Sequence, residues 1–188
     1  MYKTTKKLTL SAMFIAVGMV LPLLTGQIQQ IGSTFLPMHL PVILCGLICG
    51  WQYGALIGFN LPFLRSVTFG MPPLFPTAIA MAFELATYGL VIGLIYGRSH
   101  RQCVISLYRS LIAAMLAGRI VWGIVQIVLL GLIGKSFTWQ MFIAGALLNA
   151  VPGIVVQLTL IPTIMVALNR TGLVIFQRKQ PLENLAVR

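Results

Sequence analysis

Acidic side chains are almost missing from this sequence. Two carboxylates stand against thirteen lysines and arginines in 188 residues, and charged residues make up only 8% of the chain. Ordinary soluble domains carry roughly 25%, so these few charges cannot cover a water-facing surface, and a soluble globular fold is excluded. A nucleic-acid binder is excluded as well, despite the net charge of +11. The cations fall in short clusters between apolar runs, as membrane proteins distribute them on the cytoplasmic side. Cysteine is scarce too, at three residues. Cys45, Cys49 and Cys103 make no disulfide framework, and the i, i+4 spacing of the first two is not a CxxC redox or zinc pattern. Two histidines, His39 and His100, supply no metal cluster, and one intramembrane acid supplies no carboxylate pair. No serine or cysteine nucleophile has a base on a neighbouring turn. The triplet Gly134-Lys135-Ser136 lacks the glycine that a Walker A loop requires five positions earlier, where Leu129 stands. The chain is therefore not expected to be an enzyme, to hydrolyse ATP itself, or to hold a metal or cofactor.

Apolar residues are what the chain has in quantity. They make up 59% of it, with a mean hydropathy of +0.97. At about 20 residues per crossing, the length accommodates six transmembrane helices, and the reading is an all-α integral membrane protein. The first helix runs from about Leu8 to Leu24. It follows Lys3, Lys6 and Lys7 and is read as retained rather than as a signal peptide, because no small-x-small cleavage site follows. The second spans about Leu40 to Gly50 and ends at a Trp51-Gln52-Tyr53-Gly54 turn. The third, about Ala55 to Phe69, is interrupted by Asn60 and Pro62. Gly70, Pro72 and Pro73 mark the next turn. The fourth runs from about Leu74 to Tyr96 and the fifth from about Leu111 to Ile133. The sixth, about Phe142 to Leu168, is bent or loosened at Pro152 and Pro162. The six-helix domain covers 1–169, and a basic cytoplasmic tail covers 170–188.

Orientation follows from the cations. With a cytoplasmic N-terminus, the cytoplasmic segments hold Lys3, Lys6, Lys7, Arg98, Arg101, Arg109, Arg170, Arg178, Lys179 and Arg188. Among the outer loops only Lys135 is charged, and Arg65 and Arg119 fall inside spans. Both termini are therefore placed in the cytoplasm.

Polar residues inside spans are costly and usually face a cavity or one another. Glu84 is the only acid in the membrane. Thr77, Met81, Glu84 and Tyr88 are spaced 4, 3 and 4 apart and share one face of helix four. Arg119, Trp122 and Gln126 form a comparable stripe on helix five. Helix six offers Asn149, helix three offers Asn60 and Arg65, and His39 closes the first outer loop. Glu84 is expected to pair with Arg119, to meet a solute, or both. Arg65 either contributes to that site or snorkels to the outer interface. Small residues four apart, namely Ala12 with Ala16, Gly46 with Gly50 and Gly54 with Gly58, let helices approach closely. The first pair, directly after the basic N-terminus, is placed to dock a partner subunit.

Six helices in under 200 residues, the run Ala12-Met13-Phe14-Ile15-Ala16 and the polar loop after helix one resemble the substrate-binding S components of energy-coupling factor (ECF) vitamin transporters. The stretches Leu36-Pro37-Met38-His39-Leu40-Pro41-Val42 and Phe69-Gly70-Met71-Pro72-Pro73-Leu74-Phe75-Pro76-Thr77 also look like that family. The resemblance covers the chain up to its basic tail. It implies a vitamin pocket formed by the outer halves of helices four to six and the first loop, in the plasma membrane of a prokaryote. It also implies docking through Ala12 and Ala16 onto a transmembrane coupling subunit that carries two ATPases. Glu84, Tyr88, Asn149, Gln126, Trp122, Arg119, His39 and Arg65 are the expected substrate-binding residues. A buried acid beside amides and aromatics suits a pyridoxine-like or hydroxymethylpyrimidine-like vitamin. Pantothenate is next, its carboxylate meeting Arg65 or Arg119. The alternative is a stand-alone ion-coupled carrier of a small solute, which the lack of a second intramembrane carboxylate disfavours.

Overall fold

The structure, a computed structural model, describes residues 2–24, 37–99, 103–134, 138–145 and 150–170. Its helices are α1 (Tyr2–Leu24), α2 (His39–Ile48), α3 (Trp51–Phe69), α4 (Ile79–Arg98), α5 (Val104–Leu132), α6 (Trp139–Ile143) and α7 (Val151–Arg170). An irregular π turn, Leu74–Ala78, precedes α4. No strand occurs among the described residues.

Four helical segments are long and apolar enough to cross a bilayer: Thr4–Leu23, Leu74–Arg98, Val104–Leu132 and Val151–Arg170. Helix α2, with ten residues, is only about 15 Å long at 1.5 Å per residue. The outward faces are those of a lipid-exposed bundle. On α5, Ile112, Leu116, Ile120, Ile124 and Ile127 are all exposed and follow one another by three or four residues, which makes a continuous apolar stripe down one side of the helix.

Helix α4 is the hub, packed on α3, α5 and α2. Glycine makes this possible. A Cβ on Gly46 would lie 2.8 Å from the Gly89 carbonyl oxygen, and one on Gly54 would lie 2.7 Å from the Gly46 Cα. A Cβ on Gly58 or Gly89 would overlap the backbone of Leu85 or Gly54. Three helix backbones thus touch directly, which in lipid supplies the packing that hydrophobicity cannot. Gly46, Gly54 and Gly58 therefore act as close-approach positions. Gly50 does not. It turns the chain between α2 and α3 with φ of 103°, a conformation open to glycine at little cost.

That turn corrects one boundary. Trp51 to Gly54, expected as the turn, already lie in α3, because Gly50 alone supplies the positive φ. Nor do Asn60 and Pro62 interrupt α3. The Asn60 amide donates to the Leu56 carbonyl at 2.8 Å and so carries its own partner into the apolar region. Helix α1 begins at Tyr2 and takes the basic residues into its first turns. Helix α5 begins at Val104 rather than Leu111, which puts Arg109 on the helix, exposed. Regular helix in the hub starts at Ile79 rather than Leu74, since Phe75 is non-helical (φ −121°, ψ 135°) and prolines flank it. The sixth expected helix is described in two pieces, α6 and α7, with Pro162 inside α7. Residues 171–188, expected as the tail, lie outside the described residues.

Helix α1 packs on α2 and α3. Gly18 receives the Leu61 side chain and the Pro41 ring. The Arg65 guanidinium donates from Nη1 to the Met19 carbonyl at 3.0 Å. Along α1, Ser11, Phe14 and Gly18 are buried, while Ala12, Met13, Ala16 and Val17 are exposed.

Candidate substrate site

The polar residues of three helices meet at one buried point. Glu84 sits on α4 with 2% of its side chain exposed, and Arg119 of α5 reaches it with Nη1 3.0 Å from Oε1. His39, the first residue of α2 and wholly buried, brings Nε2 to 3.6 Å from the same oxygen. Tyr88, one turn along α4, stands edge-on to the His39 ring, with centroids 5.1 Å apart and planes at 85°. The residue before Arg119 permits this convergence. A Cβ on Gly118 would lie 2.6 Å from the Tyr88 ring, so only glycine there lets α5 come close enough to α4.

Neither contact to Glu84 is aligned as a hydrogen bond. Glu84 Oε1, both His39 nitrogens, and Nε and Nη2 of Arg119 are buried with no hydrogen-bond partner among the described residues. Leaving a buried donor or acceptor unpaired costs about 1–3 kcal/mol each, more for a charged group. A bridge that served only to fix α4 against α5 would gain by satisfying these atoms. So charged, enclosed and unsatisfied a cluster has the chemistry of a site that a polar solute completes.

The other expected residues divide around it. Gln126, buried, lies two turns along α5 from Arg119. Trp122 faces α6 instead: its ring is 6.4 Å from that of Phe142, and a Cβ on Gly145 would meet it at 2.7 Å. Phe142 in turn stacks on Trp139 at 5.3 Å. Asn149 lies outside the described residues. Arg65 does not join the Glu84 cluster. It is 3% exposed, bound to the backbone of α1 and placed 5.3 Å from the centre of the Phe69 ring. It is therefore buried rather than snorkelled. Ala12 and Ala16 lie on the outward face of α1, away from the cluster.

Gln157 escaped the sequence reading. It is wholly buried on α7, and neither atom of its amide has a partner among the described residues. The signal was present in the spacing, since Gly153, Gln157, Ile161 and Met165 recur every four residues and form the buried stripe of that helix. Helix α7 packs on α5 and α2, the helices that carry Arg119 and His39.

A family model described as the substrate-specific component of the ECF transporter matches residues 6–165. No curated protein and no solved structure matches the chain.

Proposed function

The chain belongs to the substrate-specific components of ECF transporters, and from that premise we propose that it captures a small water-soluble vitamin for an ATP-driven importer. A substrate-specific component is a binding subunit of a membrane transporter and not an enzyme. The observation that carries the proposal is the buried, under-satisfied cluster of Glu84, Arg119 and His39. Tyr88 and Gln126 complete the candidate site and Trp122 flanks it; Asn149, outside the described residues, stays a proposed contact from the sequence alone.

Energy comes from elsewhere in the complex, from a transmembrane coupling subunit and two ATPases. The exposed Ala12 and Ala16 support docking through the outward face of α1, where small side chains let a foreign helix approach. In the plasma membrane of a prokaryote the bundle has six spans, with α2 and α3 as the two that depend most on their neighbours. Both termini face the cytoplasm, in line with the bias of the cations.

On substrate, the pairing alters the balance of the two vitamin classes. A pyridoxine-like or hydroxymethylpyrimidine-like ring needs the Glu84 carboxylate as its acceptor, and Arg119 and His39 already face that carboxylate. A pantothenate-like acid needs a cation, and Arg119 retains unused donors.

Reconstitution tests the reading. In vesicles containing this chain with its coupling subunit and ATPases, labelled vitamin should accumulate only when ATP is supplied. Accumulation by the chain alone under a proton or sodium gradient would instead identify an ion-coupled carrier.

A further inference from the structure

The Glu84 cluster holds more hydrogen-bonding capacity than the protein uses, and the surplus has a shape. Arg119 approaches Glu84 through Nη1, while its Nε and Nη2 are buried and have no partner among the described residues. In a guanidinium, the Nε–H and one Nη2–H project side by side from the same edge. That edge matches the two oxygens of a carboxylate and binds it bidentately. An arginine whose task ended at Glu84 would gain most by turning this edge toward Glu84. Here Glu84 takes a single corner, and the two-pronged edge is left over inside the protein.

The surroundings add to this surplus. Both ring nitrogens of His39 are buried without a partner among the described residues, and its Nε2 is 3.6 Å from the Glu84 carboxylate, so the ring N–H is a further donor at the same point. An entering carboxylate would bury its charge against the Arg119 guanidinium, and burying a paired charge is far cheaper than burying a lone one. Helix α7, packed on the helices that carry Arg119 and His39, also holds the buried amide of Gln157, which has no partner among the described residues.

We propose that the free Nε–Nη2 edge of Arg119 is the anchor for a carboxylate, so that the substrate of this chain is a small carboxylic acid rather than a neutral or cationic heterocycle. The proposal rests on the chain being a substrate-binding subunit and names the class of solute it selects.

Matched pairs provide the test. The full chain, purified in detergent, is melted with nicotinate and nicotinamide, pantothenate and panthenol, biotin and biotinamide, and pyridoxic acid and pyridoxine. A bound ligand raises the melting temperature by an amount that grows with the logarithm of its concentration over its dissociation constant, so titrating each compound gives its affinity. The expected result is that the stabilising compound is an acid and that its uncharged counterpart binds at least tenfold more weakly. A neutral member that binds as well as or better than its acid overturns the carboxylate anchor and leaves the binding-subunit reading intact. Silence across the whole panel counts against both. R119K separates the edge from the charge, because lysine keeps a cation for Glu84 but presents no fork. It should melt within a few degrees of the parent without ligand and lose the preference for the acid at least tenfold. An unchanged preference in R119K would overturn the assignment. The wild-type pairs decide the matter independently if that variant fails to fold.

Discussion

A charge buried with a partner is stable only as long as the partner remains. Glu84 is 2% exposed and lies against Arg119; removing it leaves a guanidinium in an apolar bundle. Breaking a buried pair from one side costs about 3–5 kcal/mol, while replacing both sides together by well-packed apolar groups is often close to neutral. E84A should therefore lower the melting temperature of the ligand-free protein sharply, and E84A combined with R119A should recover part of the loss. Strictly additive effects in that double-mutant cycle would mean that the two side chains act independently. Much of this residue chemistry was legible in the sequence. A lone acid at position 84, with Tyr88 four residues later and Arg119 on the next helix, is enough to suggest a meeting point. His39 was harder to place, because a residue next to a polar loop reads as loop, whereas it opens α2 and points inward. For Arg65, sequence offered the site or the interface. A third option, a backbone carbonyl of another helix, cannot be read from spacing because it depends on how α1 lies on α3.

Among the elements, the decisive contacts are backbone to backbone. The junction of α2, α3 and α4 is built on Gly46, Gly54, Gly58 and Gly89, none of which has room for a side chain. Overpacking a well-filled core costs typically about 1–3 kcal/mol, and here the obstacle is main chain, which gives less than a side chain does. G89V should fall at or above the top of that range, read as loss of folded protein after extraction. G97V, at a position where an added Cβ would meet nothing within 4 Å, should be tolerated. Helix α1 has the opposite character on its outer face. Replacing Ala12 and Ala16 together by phenylalanine should abolish coupled uptake and leave vitamin binding within about twofold of the parent, as measured by thermal shift. Loss of binding as well would show that α1 matters for folding rather than for docking. Sequence periodicity located the apolar helices well, since composition dictates them. It failed at their ends: the start of α3 is decided by which residue can take a positive φ, and the start of α4 by how Pro73 and Pro76 bend the chain around Phe75.

The whole molecule carries its own reporter of orientation. Cys45 and Cys49 are buried, and Cys103, between α4 and α5, is exposed. A membrane-impermeant maleimide should label Cys103 in inverted vesicles and leave it untouched in right-side-out ones, if both termini face the cytoplasm as the cations indicate. The reverse pattern would invert the bundle, and C103S should remove the signal in either case. Six spans were inferred from composition, and four helices meet the length and apolarity for crossing without help. The other two expected spans, α2 and α3, fall short for different reasons: α2 is apolar but only ten residues long, and α3 has 19 residues but carries Gln52, Asn60 and Arg65. Both pack on α4.

The Glu84–Arg119 pair also bears on how the protein is made. The ribosome delivers α4 before α5, and the two are separated only by residues 99–103. A single charge at the centre of an inserting helix costs about 2.5–3.5 kcal/mol on the translocon scale. Each helix therefore enters lipid with a penalty that the other cancels, which favours release of α4 and α5 from the insertion machinery as a hairpin. A nascent chain halted before Arg119 emerges would leave Glu84 without its counter-ion.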